Sequence, residues 1–455
     1  MNNSPPAIST LTRLAPKKRS AWLQNIARKL VLTRLQSLQR GGLQIIEDGT
    51  AHRFGSTIGV QATIHVHNPR FYGEIAFGGS IGAGEAYMLG YWSCDDLTGL
   101  IRLMVLNQNV MDSLEGGMAW LVRPLLKVLH WMNRNTQDGS RRNIAAHYDL
   151  GNDMFQLFLD PAMMYSSGIF DHDDSTLEQA SIRKLDHICR KLALKPTDHV
   201  VEIGTGWGGF AIYAATHYGC SVTTTTISKA QYELAAERVK EAGLEHKITL
   251  LLSDYRDLQG KFDKLVSIEM IEAVGHAYYD IYFAKCAALL KPDGMMLIQA
   301  ITIADQRYES AKHSVDFIQR YIFPGSCIPS VTALVDSVTR ATDLRLFNLE
   351  DIGPHYARTL AEWRINFFRN IEQVRALGYP EEFIRMWEFY LCYCEGGFEE
   401  RALGDVHMLL VKPDNRRDVI AGEIRRRDSA AGTITFMAFA GLQQAMPSIR
   451  YTGSQ

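Results

Sequence analysis

No apolar run in this 455-residue chain reaches the roughly 18–20 residues that a transmembrane helix requires, so nothing in it reads as a membrane span. Cysteine is sparse and scattered. Cys94, Cys189, Cys220, Cys286, Cys327, Cys392 and Cys394 form no CxxC pairs, which excludes the usual zinc modules, and their odd, dispersed placement fits a reducing compartment. There is no internal repeat and no low-complexity tract. The net charge is only −2, which excludes a chain that binds polyanions through its overall charge. What is present is ordinary for a globular protein, with 46% hydrophobic and 22% charged residues. The length allows two domains, or one large domain with an appendage.

Acid is absent from residues 1–46, where Arg13, Lys17, Lys18, Arg19, Arg28, Lys29, Arg34 and Arg40 alternate with Trp22, Leu23, Ile26, Leu30 and Leu38 near helical spacing. Three readings fit: an amphipathic arm on anionic lipid, a basic helix packed on its own domain, and a cleaved transit peptide. Charge interrupts the apolar run, which excludes a secretory signal. Leu43–Glu47 and Ala62–His67 alternate as strands do. Glu85–Trp92 and Leu97–Leu106 have helical spacing, and Gly78–Gly84 reads as a turn because it lacks the lysine of a P-loop. His65 and His67 share one strand face with no third ligand, so no metal is expected. An apolar helix over Met118–Trp131 and a polar linker over Asn133–Arg142 follow. The expected boundaries are therefore a basic arm over 1–42, a small α+β domain over 43–132, a linker over 133–142, a larger domain over 143–412 and a tail over 413–455.

The larger domain is organised around Val200–Phe210, VVEIGTGWGGF, followed by a helical pattern and a second β-rich run at Ser221–Thr226. Strand, glycine-rich turn, helix and strand open a nucleotide-binding α/β sheet. A dinucleotide usually wants an acid about 20 residues beyond the glycines. The second strand instead ends Thr-Thr-Ile-Ser, and the acid, Glu202, precedes the glycines. That suits S-adenosylmethionine, which has no pyrophosphate but presents hydroxyls and an ammonium. Further alternation follows: a helix at Lys229–Ala242, strands at Ile248–Leu252 and Lys264–Ile268, a helix at Tyr278–Leu290 and a strand at Gly294–Ala300. The result is an α/β, doubly wound, mostly parallel sheet of the class I methyltransferase type, preceded by the small α+β domain. Asp254 with Tyr255 suits an adenine. Glu269 and Glu272, at i and i+3 beyond a strand end, mark a site, although one of them could simply cap the next helix. His147–Asp160 reads as a helix capped by Asn152 or Asp153. Arg307–Ser330 reads as a helical lid, and Thr359–Glu395 as a long helical stretch. Leu344–Asp351 and Arg401–Lys412 are placed as later strands.

Several stretches in order, HYDLGNDMFQLFLD, MMYSS, VEIGTGWGGF, TTISKAQ, SDYRDL, EMIEAVG, LIQAITI and YIFPGSCIPS, resemble the cyclopropane fatty acid synthases and mycolic acid cyclopropane synthases over about residues 140–412. The resemblance implies an S-adenosylmethionine-dependent enzyme that adds a methylene across a cis double bond of an unsaturated phospholipid acyl chain, with a bicarbonate accepting the proton. It implies a cofactor site of Tyr165, Ser166, Glu202, Gly204, Gly206, Thr226, Ile227, Ser228, Gln231, Tyr255 and Arg256. Glu272, Tyr356 and the Ile301 backbone would serve the bicarbonate. Ser167 and Gln299 stand where the family usually has cysteine and histidine, so the local proton chemistry differs, and a methyl- or methylene-branched product is the alternative to a ring. Tyr165, Phe317, Tyr321 and Tyr356 are candidates to face a cationic intermediate. The implied location is cytoplasmic, peripheral at an anionic inner-membrane surface, with a homodimer as a further possibility and no nucleic acid as partner. A small-molecule O-, N- or C-methyltransferase shares the sheet and the glycine turn and is the rival class.

Overall fold

The computed structural model describes residues 21–116 and 151–418. The first 20 residues of the basic arm, the helix expected over Met118–Trp131, the linker Asn133–Arg142, the start of the His147–Asp160 stretch and the tail from 419 onward lie outside the described residues.

The amino-terminal part is built on a four-stranded sheet of β1 (Gly42–Glu47), β2 (Thr50–Gly55), β3 (Gln61–Val66) and β4 (Trp92–Cys94), in the order β2-β1-β3-β4. β2 and β4 were not expected. The β1–β2 hairpin turns on Asp48-Gly49, both with positive φ, which is the tight turn that Asp-Gly favours. Helix α1 (Ala21–Leu35) buries Ala27, Val31 and Leu35 in the same core as Leu43, Ile45 and Ile64. Its Arg28 reaches Glu47 of β1 at 2.7 Å. One face of the basic helix is thus packed on its own domain, while Trp22 (69% exposed) and Ile26 (39%) point outward.

The Gly78–Gly84 run is not a turn. It lies inside α2 (Arg70–Met88), which is kinked at Gly79 (φ 57°, ψ −137°). The small residues serve close packing here, because a Cβ on Gly84 would lie 2.5 Å from the Phe317 ring. The helix expected over Glu85–Trp92 stops at Met88, with Gly90 at φ 69° beyond it, and Trp92 begins β4. α3 (Leu97–Leu106), capped by Asp96, and α4 (Gln108–Gly116) complete this part.

After α5 (Asn152–Gln156), the capping box of Thr176 and Gln179 starts α6 (Leu177–Lys191). α5 has no side-chain cap; Asn152 instead accepts from Trp207 Nε1 at 2.8 Å. β5 (His199–Ile203), α7 (Gly209–His217), β6 (Ser221–Thr226), α8 (Lys229–Glu241) and β7 (Ile248–Leu252) follow the expected alternation, as do β8 (Phe262–Ile268), α9 (Tyr279–Leu289) and β9 (Leu290–Ile303). α10 (Asp305–Ala311), α11 (Phe317–Tyr321) and α12 (Val331–Ala341) lead to β10 (Arg345–Asp351). The stretch expected as one long helical segment is three helices, α13 (Gly353–Arg369), α14 (Ile371–Ala376) and α15 (Glu381–Glu399), before β11 (Leu403–Val411). Gly378 at φ 92° and Pro380 force the second break, since a proline disfavours helix in the residue before it.

The large sheet has the order β10-β11-β9-β8-β5-β6-β7, with β5 to β9 parallel and β11 antiparallel to both its neighbours. The chain moves outward from β5 to one side through β6 and β7, then returns to the other side through β8. The crevice at the carboxyl ends of β5 and β8 is where such sheets bind ligands. One hydrophobic core runs from the small sheet (Leu43) and α2 (Tyr72) through Phe155 to Trp363 and Trp387 of the α13–α15 layer. Each such buried large side chain contributes roughly 1.5–3 kcal/mol. Tyr87 donates to Glu388 at 2.6 Å and Arg385 to the Trp92 carbonyl at 2.7 Å, tying the two parts together. Gly84→Ala should overpack Phe317 and lower stability by about 1–3 kcal/mol, read as a lower urea midpoint; an unchanged midpoint would mean that this contact is not tight.

Candidate active site

A cavity of about 570 Å³ begins at the glycine turn after β5 and extends to Val31, Leu35, Leu43 and Ile45 of the amino-terminal part. Its size falls in the range of small-molecule sites. The turn itself is built for an approaching ligand. Gly204 and Gly206 have φ of 99° and 52°, and a Cβ on Gly206 would meet no protein atom within 4 Å, only open space.

Of the residues that the resemblance assigns to the cofactor, Tyr165, Ser166, Glu202, Gly204, Gly206, Thr226, Ile227, Gln231, Tyr255 and Arg256 all line this cavity. Ser228 does not; it caps α8, accepting from Gln231 N at 3.3 Å. Thr226 Oγ1 donates to Gln231 Oε1 at 2.9 Å, which fixes the turn after β6. The Asp254 carboxylate is held by Arg256 through contacts of 2.8 and 2.7 Å, so the acid read as an adenine partner is engaged by its neighbour. Asp254, Tyr255 and Arg256 all stand on the cavity wall. Glu202 is buried and accepts from Thr224 Oγ1 at 2.6 Å, and burial pushes its carboxyl up to about 8.

The residues assigned to proton chemistry meet at the ends of β8 and β9, and Glu269 stands at their centre. Its Oε1 accepts from Ser167 N at 2.8 Å and Gln299 Nε2 at 2.7 Å, and its Oε2 from Tyr356 OH at 2.5 Å. The backbone of Glu269 has φ 47°, a left-handed conformation that costs a residue with a Cβ about 1–2 kcal/mol. Its side chain lines the cavity. Glu272 also lines it, with Oε1 accepting from Ile301 N at 2.6 Å and Oε2 buried without a partner. Burial, then the neighbouring Glu269 charge, pushes Glu272 up to about 8. Ser167 and Gln299 stand behind the wall, supporting Glu269 rather than lining the cavity.

Lys184 supplies the compensating cation. It is fully buried, its Nζ lies 2.5 Å from Ser166 Oγ, and burial lowers it to about 8 against the attraction of Glu269, Asp160, Asp405 and Glu202. Asp405 accepts from Gln299 Nε2 at 2.8 Å, while its Oδ1 has no partner. Burial and the Glu269 charge raise Asp405 well above the usual carboxylate range. Burial raises Glu269 too, but Tyr356, Lys184 and Ser167 oppose that rise. Three donors and a cation favour the charged form of Glu269, whereas Asp405 has one donor and an unpartnered oxygen, so of the two it is Asp405 that holds the proton.

The donors that the residues assigned to bicarbonate bring to the site are therefore already taken by the chain's own acids. Ser167 N, Gln299 Nε2 and Tyr356 OH serve Glu269, and Ile301 N serves Glu272. Ser167 Oγ is turned to the Gly168 carbonyl at 3.1 Å. At Ser167 N, Gln299 Nε2 and Tyr356 OH a free anion would have to displace the Glu269 carboxylate, a group of like charge, so this donor set does not fit bicarbonate.

Phe317 and Tyr321 are not cavity aromatics. Phe317 packs on Phe389 at 4.6 Å, and Tyr321 donates to Glu85 at 2.6 Å. Phe323 and Tyr390 join Tyr165 and Tyr356 on the wall instead. Sequence reasoning had no signal for Lys184, which sits among ordinary helical residues of α6. A separate cluster of His187, Glu350 and His407 brings three ligand-type atoms within 4.8 Å of one another. Its Glu350 carboxylate already faces Lys191 Nζ at 2.5 Å.

Glu202 and Glu272 keep their protons to about pH 8 when folded but release them near their ordinary value of 4.5 when unfolded. The unfolded chain binds fewer protons across that window, so the stability of the ligand-free protein should fall as pH rises through it. Glu272→Gln should flatten that fall, read from urea midpoints across the window; an unaltered slope would remove Glu272 from the set.

Residues 135–408 match the family model described as mycolic acid cyclopropane synthetase. The chain is 38% identical over 378 residues to the tuberculostearic acid methyltransferase of Mycobacterium tuberculosis, covering 81% of this chain and 87% of that one. It is 39% identical over 346 residues to the cyclopropane-fatty-acyl-phospholipid synthase of Escherichia coli, covering 75% and 85%. Among solved structures, the cyclopropane synthase MmaA2 from Mycobacterium tuberculosis aligns with a TM-score of 0.56 at 30% identity, over 60% of this chain and 98% of that one. A mycolic acid cyclopropane synthase complexed with SAH and CTAB aligns with the same TM-score at 31% identity, over 60% and 98%. The chain belongs to the mycolic acid cyclopropane synthetase family and is an S-adenosylmethionine-dependent methyltransferase.

Proposed function

We propose that the protein transfers a methyl carbon from S-adenosylmethionine to a cis double bond in an unsaturated phospholipid acyl chain and closes it to a cyclopropane. The observation that carries this reading is the continuity of the cavity. It joins the glycine turn to an apolar end lined by Val31, Leu35, Leu43, Ile45 and Ile64, which suits a fatty chain and serves no small polar acceptor. When bound, the cofactor supplies a sulfonium methyl group. Gly204 and Gly206 leave room for it, and Tyr255, Arg256, Gln231 and Thr226 shape its side of the cavity.

An alkene is a weak nucleophile, so the chain's contribution is to hold it in line with the methyl in a site without water. The rings of Tyr165, Tyr356, Phe323 and Tyr390 offer π-faces to the cation that methyl addition leaves on the acyl chain. A methylene-branched product is the second reading. It is favoured by Ser167 and Gln299 at the positions of the family's cysteine and histidine, and by the likeness to a tuberculostearic acid methyltransferase. Among the described residues no helix is long and apolar enough to cross a membrane. The outward Trp22 and Ile26 of α1, beside the exposed Lys29 and Arg34, are the proposed contact with an anionic lipid surface.

Three outcomes test this reading. Vesicles of unsaturated phospholipid and methyl-labelled cofactor should yield fatty acids heavier by one CH2. Resistance of the new unsaturation to hydrogenation marks a ring, and loss of it on hydrogenation marks a methylene branch; label confined to a soluble metabolite would contradict the assignment. Gly206→Val should abolish cofactor binding in calorimetry by filling the open space at the turn, whereas retained affinity would place the cofactor elsewhere. Trp22→Glu should weaken sedimentation with anionic vesicles while leaving the folded core intact; undiminished binding would remove α1 as the contact.

A further inference from the structure

We propose that the carboxylate of Glu269 takes the place of the bicarbonate that the family's chemistry uses, so that the base of this enzyme is built into its own chain. The proposal rests on the reading of the site as an alkene methylase. Three observations carry it. First, Glu269 occupies the donors. Tyr356 OH, expected to serve a free anion, and Gln299 Nε2 and Ser167 N, from the two positions where the family has histidine and cysteine, all donate to this one side chain. Second, the position is held against backbone preference. Glu269 has φ 47° beyond the end of β8, and the strained conformation turns the carboxylate into the cavity beside Glu272. A non-glycine residue persists in such a conformation only when its surroundings fix it, and such residues cluster at functional sites. Third, the charge is sustained. Buried Lys184 is a neighbouring cation, and Asp405, the other acid on Gln299, has one oxygen with no partner and holds the proton.

The two substitutions that distinguish this chain from its family's pattern follow from the same arrangement. Gln299 donates two hydrogen bonds from one amide nitrogen, to Glu269 and to Asp405, and its carbonyl faces His407 Nε2 at 3.2 Å. Burial holds the His407 imidazole neutral, so it donates to that carbonyl and fixes the amide orientation. The Ser167 side chain is turned away, and only its backbone N–H serves the acid. Both residues are positioning residues for Glu269.

The step balances within the chain. Methyl transfer breaks the sulfur–carbon bond, releases S-adenosylhomocysteine and leaves a cation on the acyl chain. The Glu269 carboxylate removes one proton from the newly added carbon. The C–H electron pair becomes the third ring bond or, if a hydride first moves to the neighbouring cationic carbon, the double bond of a methylene branch. Glu269 ends as the neutral acid and returns its proton to solvent after the product leaves.

The test needs no substitution at first. In carbon-dioxide-free buffer, wild-type protein with unsaturated phospholipid vesicles should form modified fatty acid at the same rate with and without added sodium bicarbonate. Glu269→Gly, which suits the positive φ and leaves a gap of carboxylate size, should lose about 100-fold or more in turnover while keeping its affinity for S-adenosylhomocysteine. Added bicarbonate should restore part of that rate. Wild-type turnover that depends on bicarbonate would overturn the proposal while leaving the methylase reading intact. So would Glu269→Gly turning over at the wild-type rate in carbon-dioxide-free buffer. No modified lipid from the wild type under either condition would remove the methylase reading itself.

Discussion

A negative charge held inside a mostly apolar cavity is the constraint around which this structure is arranged. Desolvating a lone carboxylate costs far more than a folded domain can spare unless donors and a countercharge surround it. Glu269 has all of these: a backbone N–H from the loop before α6, an amide from β9, a phenol from α13 and the nearby ammonium of Lys184 on α6. Four separate parts of the chain must be in register for that set to exist. The sheet order that puts β8 between β5 and β9 brings their ends together, and the packing of α13 on α15, and of α15 on α2 and α3 of the amino-terminal part, keeps Tyr356 in reach. The fold and the site are therefore one problem, because loosening the amino-terminal part also loosens the wall of the cavity.

The same arrangement divides labour between neighbouring acids. Glu269 and Glu272 lie three residues apart, yet their surroundings push them to different states. Glu269 has three donors and a cation, whereas Glu272 has one backbone donor and an unpartnered oxygen. Burial first, and then the like charge of Glu269, push Glu272 up to about 8, so the second acid stays neutral near pH 7. A charged acid and a neutral one side by side form the kind of pair from which proton acceptors are made.

Much of this was legible in the sequence, and the failures share a cause. The alternation from β5 to β9 was clear because strand and helix periods differ and the glycine turn marks their junction. The small sheet was half read. Asp48-Gly49 is a hairpin signal that marks β2, and the glycines of Gly78–Gly84, which read as a turn, instead let α2 approach Phe317. At the site, the i, i+3 acids pointed to the right place, but the donors that settle their roles come from residues 102 and 87 positions away in sequence. Lys184 is in the same class: a helical lysine looks solvated until the fold encloses it. Phe317 and Tyr321 failed in the opposite sense, since an aromatic stripe near a lid serves packing as readily as it lines a ligand.

The central claim is that the carbon delivered by the cofactor loses a proton once it has joined the alkene, and the fate of hydrogen on that carbon reads this directly. With S-adenosylmethionine bearing a fully deuterated methyl group, mass spectrometry of the lipid product should show two deuterium atoms on the added carbon, the third having left to the base. Three retained deuterium atoms would mean simple methyl transfer with no proton removed there, and would contradict the account.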